Sequence, residues 1–173
     1  MPRIAVIGCS GSGKSTFSIR LNEITNIPIY HLDKMYWKSG WVEEDRNIFI
    51  DKQKNAVNQK SWIIDGNYLS TLDMRLNSAT LVIHFKIGRL KCLTGYLKRL
   101  VKNYNRSRSD ITAGCSEKLD FEFMKYIWNF EKENHSRAEE ILKAHPDVKM
   151  ITFYSRKQAD NYLKGAEKYY GEK

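Results

Sequence analysis

Cysteine is scarce in this chain. Its three residues, Cys9, Cys92 and Cys115, are odd in number and lack the spacing of a metal site, which points to a reducing, cytoplasmic setting. No apolar run approaches the ~20 residues that span a bilayer, and Met1-Pro2-Arg3 leads straight into an apolar strand. Neither a signal peptide, an anchor nor a membrane partner is therefore expected. Repeats, low-complexity tracts and linkers are also missing, so residues 1–173 are expected to form one domain with a real core. A helix-turn-helix, a zinc module and an aromatic stacking platform are missing too. Acidic residues are absent from residues 86–109, where the charged side chains are Lys86, Arg89, Lys91, Lys98, Arg99, Lys102, Arg106 and Arg108. With a net charge of +9 this asymmetry suits an anionic partner, and polyphosphate or nucleic acid would each satisfy it.

What is present is organised around Gly8-Cys9-Ser10-Gly11-Ser12-Gly13-Lys14-Ser15-Thr16. The stretch follows the apolar run Ile4-Ala5-Val6-Ile7 and precedes the periodic residues Phe17, Ile19, Leu21 and Ile24. Strand, glycine-rich turn, then helix is the context in which G-x-x-x-x-G-K-[ST] means a phosphate-binding loop. Glycines let successive N–H groups turn inward around phosphate oxygens, and the new helix sets its positive end beneath the same anion. Lys14 is expected at the β- and γ-phosphates, and Ser15 at Mg²⁺. Cys9, inside the loop, reads as filler or as a redox switch.

Five apolar runs read as strands: residues 3–8, 28–32, 61–65, 80–85 and 148–153. Asp33 closes the second, at the end where α/β proteins place ligands. Residues 34–41 read as an aromatic loop, whose Tyr36, Trp37 and Trp41 either pack on the sheet edge or line an acceptor pocket beside Asp33. Asp65 closes the third strand as a metal-holding carboxylate does, or caps the following turn. His84 reads as a core histidine. Helices are expected over residues 15–24, 43–59, 69–77 and 89–104, then 121–144 behind an Asp120 cap, and from Ser155 to a frayed tail at 168–173. Ile48, Phe49, Ala56 and Val57 form the inner face of the second, and Leu90, Leu93, Leu97, Leu100 and Tyr104 that of the fourth. The stripe of the long fifth helix includes Phe121, Met124, Ile127, Trp128, Ala138, Ile141 and Leu142. Arg106 and Arg108, on a loop over residues 103–118, suit a lid closing on a triphosphate. Arg137 points to the phosphates or to solvent.

The phosphate loop, His31-Leu32-Asp33 with Tyr36-Trp37, Trp62-Ile63-Ile64-Asp65-Gly66-Asn67-Tyr68, Thr71-Leu72-Asp73-Met74-Arg75-Leu76, Arg106-Ser107-Arg108 and Gly114-Cys115 together resemble the FlaR family. These are called DNA topology modulation proteins and are similar to adenylate and shikimate kinases. The resemblance implies a three-layer α/β P-loop fold with a five-stranded parallel sheet in the order 2-3-1-4-5. The family name implies a DNA-linked role, whereas the residues imply transfer of a phosphoryl group from Mg-ATP to a small molecule. Asp65-Gly66-Asn67-Tyr68 departs from the nucleoside monophosphate kinase form, and Asp33 is closer to the shikimate kinase pattern. On this reading Gly8, Ser10, Gly11, Ser12, Gly13, Lys14, Ser15 and Thr16 cradle ATP, with Arg99, Ser155 and Arg156 nearby. Ser15 and Asp65 hold the metal, and Lys14, Arg106 and Arg108 neutralise charge. Asp33 orients or deprotonates the acceptor, which also meets Trp37, Asn67, Arg75 and Arg137.

Overall fold

The computed structural model describes residues 1–106 and 108–171, with His135 described by its backbone alone. In chain order the elements are β1 (Arg3–Gly8), α1 (Lys14–Thr25), β2 (Ile29–His31), α2 (Leu32–Tyr36), β3 (Trp37–Lys38), β4 (Val42–Glu43), α3 (Arg46–Val57) and β5 (Trp62–Asp65). A 3₁₀ turn (Leu69–Thr71), α4 (Leu72–Leu76), β6 (Leu81–Phe85), α5 (Arg89–Asn103), α6 (Phe121–Lys143), β7 (Lys149–Phe153) and α7 (Arg156–Gly171) follow. Five strands form a parallel sheet in the order β2-β5-β1-β6-β7. Counted within the sheet this is 2-3-1-4-5, the expected order.

Alternation along β1 splits the core into two layers. Ile4 and Val6 point into one with Phe17, Leu21 and Leu163, while Ala5 and Ile7 point into the other with Leu32, Phe49 and Leu72. In the first layer Phe17, Phe85 and Phe153 meet edge to face at 5.4–5.6 Å between ring centres. The register of β2 on β5 sets His31 opposite Asp65. The register of β1 between β5 and β6 brings the phosphate loop out at the same end of the sheet as Asp65.

Several expectations are corrected. Residues 34–41 are a helical turn and a short antiparallel hairpin rather than a loop, and α3 begins at Arg46, where the Asp45 side chain accepts from the N–H groups of Asn47 and Ile48. Ile48 is exposed, and Gln53 is buried in its stead, hydrogen-bonded by the Thr71 hydroxyl. Phe121 and Trp128 of α6 lie outside the core, Trp128 under the Arg89 guanidinium. His84 is half-buried. Residues 168–171 continue α7 rather than fray; Glu172 and Lys173 lie outside the described residues.

The largest correction is the register of α5. Leu90, Leu97 and Tyr104 are exposed, whereas Cys92, Tyr96 and Leu100 are buried. Spacing favoured the leucine stripe, but the helix must let the phosphate loop approach to backbone contact. A side chain at Gly11 (φ 74°) would strike the Cys92 carbonyl, and one at Gly95 would strike the Gly11 carbonyl. Only the face carrying Cys92 and Gly95 is small enough. Gly95→Ala would raise helix propensity by about 1 kcal/mol in isolation. Here it is expected to destabilise by about 1–3 kcal/mol through overpacking, lowering the thermal midpoint. A midpoint that rises, measured by calorimetry, would contradict the contact.

Candidate active site

The phosphate loop ends at Gly13, whose left-handed φ of 102° starts α1 without a side-chain cap. The first N–H groups of a twelve-residue helix are thus left for a ligand. The loop is held from behind. Arg156 donates from Nε to the Ser12 carbonyl (3.2 Å) and from Nη2 to the carbonyls of Gly11 (2.8 Å) and Lys91 (2.7 Å). Arg99 donates from Nη1 to the Ser10 hydroxyl (3.3 Å).

In front of the loop lies a cavity of about 1150 Å³. Gly8, Ser10, Lys14, Asp33, Trp37, Asn67, Arg99 and Arg108 all border it. The cavity therefore brings together the loop lysine, the Asp33 carboxylate from the first turn of α2 and two arginines from the basic stretch. Thr16 is exposed on α1 and outside the lining.

Asp65 is almost fully buried and accepts a hydrogen bond from His31 Nδ1 at 3.0 Å through Oδ2, while Oδ1 has no hydrogen-bond partner. Burial alone would raise this carboxyl. The His31 hydrogen bond, the Lys14 charge and the Ser15 hydroxyl outweigh it and hold the group below the usual carboxylate range. An ionised carboxylate with a free oxygen beside Ser15 fits a hard divalent cation taking oxygen ligands, directly or through water. No cluster of three or more His, Cys, Asp and Glu occurs among the described residues, so phosphate and water would complete such a shell.

The basic residues do not stand free of acids. Glu117, buried, meets Arg99 Nε at 3.0 Å and Arg108 Nε at 2.6 Å, and Arg108 Nη1 donates to Asp110 at 2.6 Å. Glu117 Oε1 and both Nε atoms lack hydrogen-bond alignment, so the contacts to Glu117 are Coulombic. Burial, with Arg108 beside it, pushes the Arg99 guanidinium down while Glu117 pulls it back. Arg108 of the expected lid is thus not held off by like charge: Glu117 bridges it to Arg99 of α5. This segment also rests on the hairpin. Gly40 N–H donates to the Gly114 carbonyl (3.2 Å), and Trp41 Nε1 donates to the Ser116 carbonyl (3.0 Å).

Besides Thr16, five expected site residues are elsewhere. Arg106 and Arg137 are exposed and border no part of the cavity. Ser155 and Arg156 lie outside it too, since Ser155 accepts from the Gln158 N–H and the Arg156 donors are committed to the loop carbonyls. Arg75 is corrected outright, being wholly buried. It donates from Nη1 to the Gly66 carbonyl (2.9 Å) and from Nη2 to those of Asn67 (2.7 Å) and Tyr68 (3.0 Å). Tyr68 has a positive φ of 25°, strained for a bulky residue, and its hydroxyl donates to Asp33 at 2.9 Å. Arg75 thus holds the turn that holds Asp33.

Sequence reasoning missed His31 and Glu117 as working partners. His31 was visible beside Asp33, but only strand register pairs it with Asp65. Glu117 follows the basic stretch too distantly for its two partners to be read from spacing.

Among solved structures, the chain is similar to deoxyadenosine kinase from M. mycoides with bound dATP, at 16% identity and a TM-score of 0.55 over 95% of this chain and 98% of that one. It is similar to shikimate kinase from Bacteroides thetaiotaomicron, at 14% identity and a TM-score of 0.55 over 96% of each chain. Shikimate kinase from Acinetobacter baumannii, in complex with shikimate, matches at 12% identity and a TM-score of 0.55 over 95% of this chain and 92% of that one. The class is that of the P-loop kinase fold. No family model matches the chain and no curated protein does, so the FlaR resemblance rests on the quoted motifs alone.

Arg75→Met would remove the side-chain donor from the Gly66 and Asn67 carbonyls and one of the donors to the Tyr68 carbonyl, for a loss of about 3 kcal/mol at roughly 1 kcal/mol each. The expected fall in thermal midpoint is roughly 6–12 °C for a chain of this size. An unchanged midpoint with a raised KM for an anionic acceptor would restore the acceptor-clamp role.

Proposed function

We propose that the chain is a Mg-ATP-dependent phosphotransferase acting on the hydroxyl of a small molecule. One observation carries this reading: Lys14, Asp33, Arg99 and Arg108 border a single cavity that also reaches Gly8 and Ser10 of the phosphate loop. Phosphoryl transfer needs mainly positioning and charge neutralisation, and this set supplies both.

The N–H groups of the loop and of the first turn of α1 bind the triphosphate. Lys14 neutralises charge on the departing β,γ-bridge, and Ser15 and Asp65 would hold Mg²⁺, which neutralises the phosphate oxygens. Asp33, oriented by the Tyr68 hydroxyl, accepts the proton of the attacking hydroxyl. Residues 103–118 act as the lid. In it Glu117 occupies Arg99 and Arg108 through unaligned contacts, which an incoming γ-phosphate can replace with aligned, charge-assisted ones. Arg106 and Arg137, exposed here, would reach the phosphates only by movement. The FlaR resemblance is compatible with this chemistry. Its DNA-linked alternative rests on Lys91, Lys98 and Lys102, whose exposed face of α5 also carries Leu90 and Val101.

Lys14→Ala is expected to abolish measurable Mg-ATP turnover while circular dichroism stays unchanged. Arg108→Ala should lower kcat by about 10²–10³-fold, as loss of a charge-stabilising donor does, with a smaller loss of ATP affinity. Isothermal titration with ATP alongside coupled detection of ADP checks both. Full activity in a folded Lys14→Ala protein would sink the phosphotransferase reading.

A further inference from the structure

Where the cavity meets the β3–β4 hairpin, its wall is aromatic. Tyr36, Trp37, Trp41, Phe49 and Tyr68 all border it. The rings brace one another: Tyr36 lies 4.9 Å from Trp37 and 5.1 Å from both Phe49 and Tyr68, and Trp37 lies 5.5 Å from Trp41, between ring centres. Such mutually packed rings offer a planar ligand a rigid, large apolar surface at little entropic cost. A cavity of about 1150 Å³ exceeds the ordinary single-ligand range of roughly 300–1,000 Å³, leaving room for a ring-bearing acceptor beside a nucleotide.

The charges at this end are mostly acidic. Asp33 accepts from Tyr68, and Glu43, exposed at the rim, adds to burial in pushing the Tyr36 phenol up. Glu44, the third carboxylate, is neutralised by Lys52 (2.7 Å) and Lys38 (3.5 Å). The cation expected to clamp an anionic acceptor, Arg75, is sealed behind the wall on backbone carbonyls. Arg46 borders the cavity but is exposed at its mouth. Lys118, also exposed, comes from the lid segment, and Arg99 and Arg108 are engaged by Glu117 there. An acceptor bearing a phosphate or carboxylate would thus meet Asp33 and Glu43 without a buried arginine fork to receive it.

We infer that the acceptor is a planar heteroaromatic alcohol without a phosphate or carboxylate group: a nucleoside rather than a nucleoside monophosphate or a hydroxy acid. The inference rests on the phosphotransferase reading and deepens it. The ring lies against Trp37 and Tyr36, and its pendant hydroxyl meets Asp33. The hydroxyl oxygen forms the new bond to the γ-phosphorus as its proton passes to Asp33. The bond from that phosphorus to the β,γ-bridging oxygen breaks, and ADP leaves with the electron pair. The products are the phosphate monoester, ADP and one proton.

The test uses the full chain with Mg²⁺. Isothermal titration first measures ATP binding. With a non-hydrolysable ATP analogue present, the same method measures adenosine, deoxyadenosine, cytidine and guanosine against their 5′-monophosphates and shikimate. ADP release is followed for each with ATP. At least one nucleoside should bind ten-fold or more tightly than its monophosphate and raise ADP release ten-fold or more. Trp37→Ala should weaken that nucleoside about ten-fold with ATP affinity retained, and Trp37→Phe should restore much of the loss. Asp33→Asn should abolish turnover while the nucleoside still binds. Preference for a monophosphate or shikimate, or normal ATP binding with no nucleoside bound, would overturn this inference and leave phosphotransfer standing. Failure to bind ATP would overturn both.

Discussion

The contact between the phosphate loop and α5 is the constraint on which the site depends. A loop of inward-facing N–H groups is an unfavourable arrangement without its anion, because like dipoles converge. Here it is shaped by backbone-to-backbone packing, with Gly11 against Cys92 and Tyr96 and Gly95 against Gly11. Arg156 adds three hydrogen bonds from behind, two of them to the loop and one to α5. That contact selects the buried face of α5 and turns Leu90 and Leu97 outward. It also sets Arg99, one turn beyond Gly95, beside the Ser10 hydroxyl.

From that anchor a second set of contacts spreads to the β3–β4 hairpin. Arg99 meets Glu117, Glu117 meets Arg108, and the segment carrying both is hydrogen-bonded to the hairpin of β3 and β4. The same hairpin carries Trp37 and leads into α3. The phosphate loop and the aromatic wall of the cavity are therefore mechanically joined through α5, Glu117 and the segment around it. Arg75 works independently from beneath, fixing the strained turn at Tyr68 and through it Asp33.

The legible parts of this protein were the local ones. The phosphate loop is a contiguous motif whose flanks declare strand and helix, and the five strands of the parallel sheet are short apolar runs. Asp33 and Asp65 were readable because each directly closes such a run. Arg75 was not, because a guanidinium in a helical stretch gives no sign of whether it faces a pocket or seals a row of carbonyls. Leu90, Leu97 and Tyr104 misled because amphipathic spacing reports which face is apolar, not which face has room for a neighbouring backbone.

By itself, then, the sequence determined the strands and their polar ends, the phosphate loop and the excess of positive charge near it. These follow from periodicity and from bonding between near neighbours in the chain. Tertiary structure decided the face of α5, the burial of Arg75, the His31–Asp65 pair, the Glu117 bridge and the meeting of Tyr36, Trp37, Trp41, Phe49 and Tyr68 along one cavity wall. Each joins residues separated along the chain, so its energy depends on distances that only the packed sheet and its helices set.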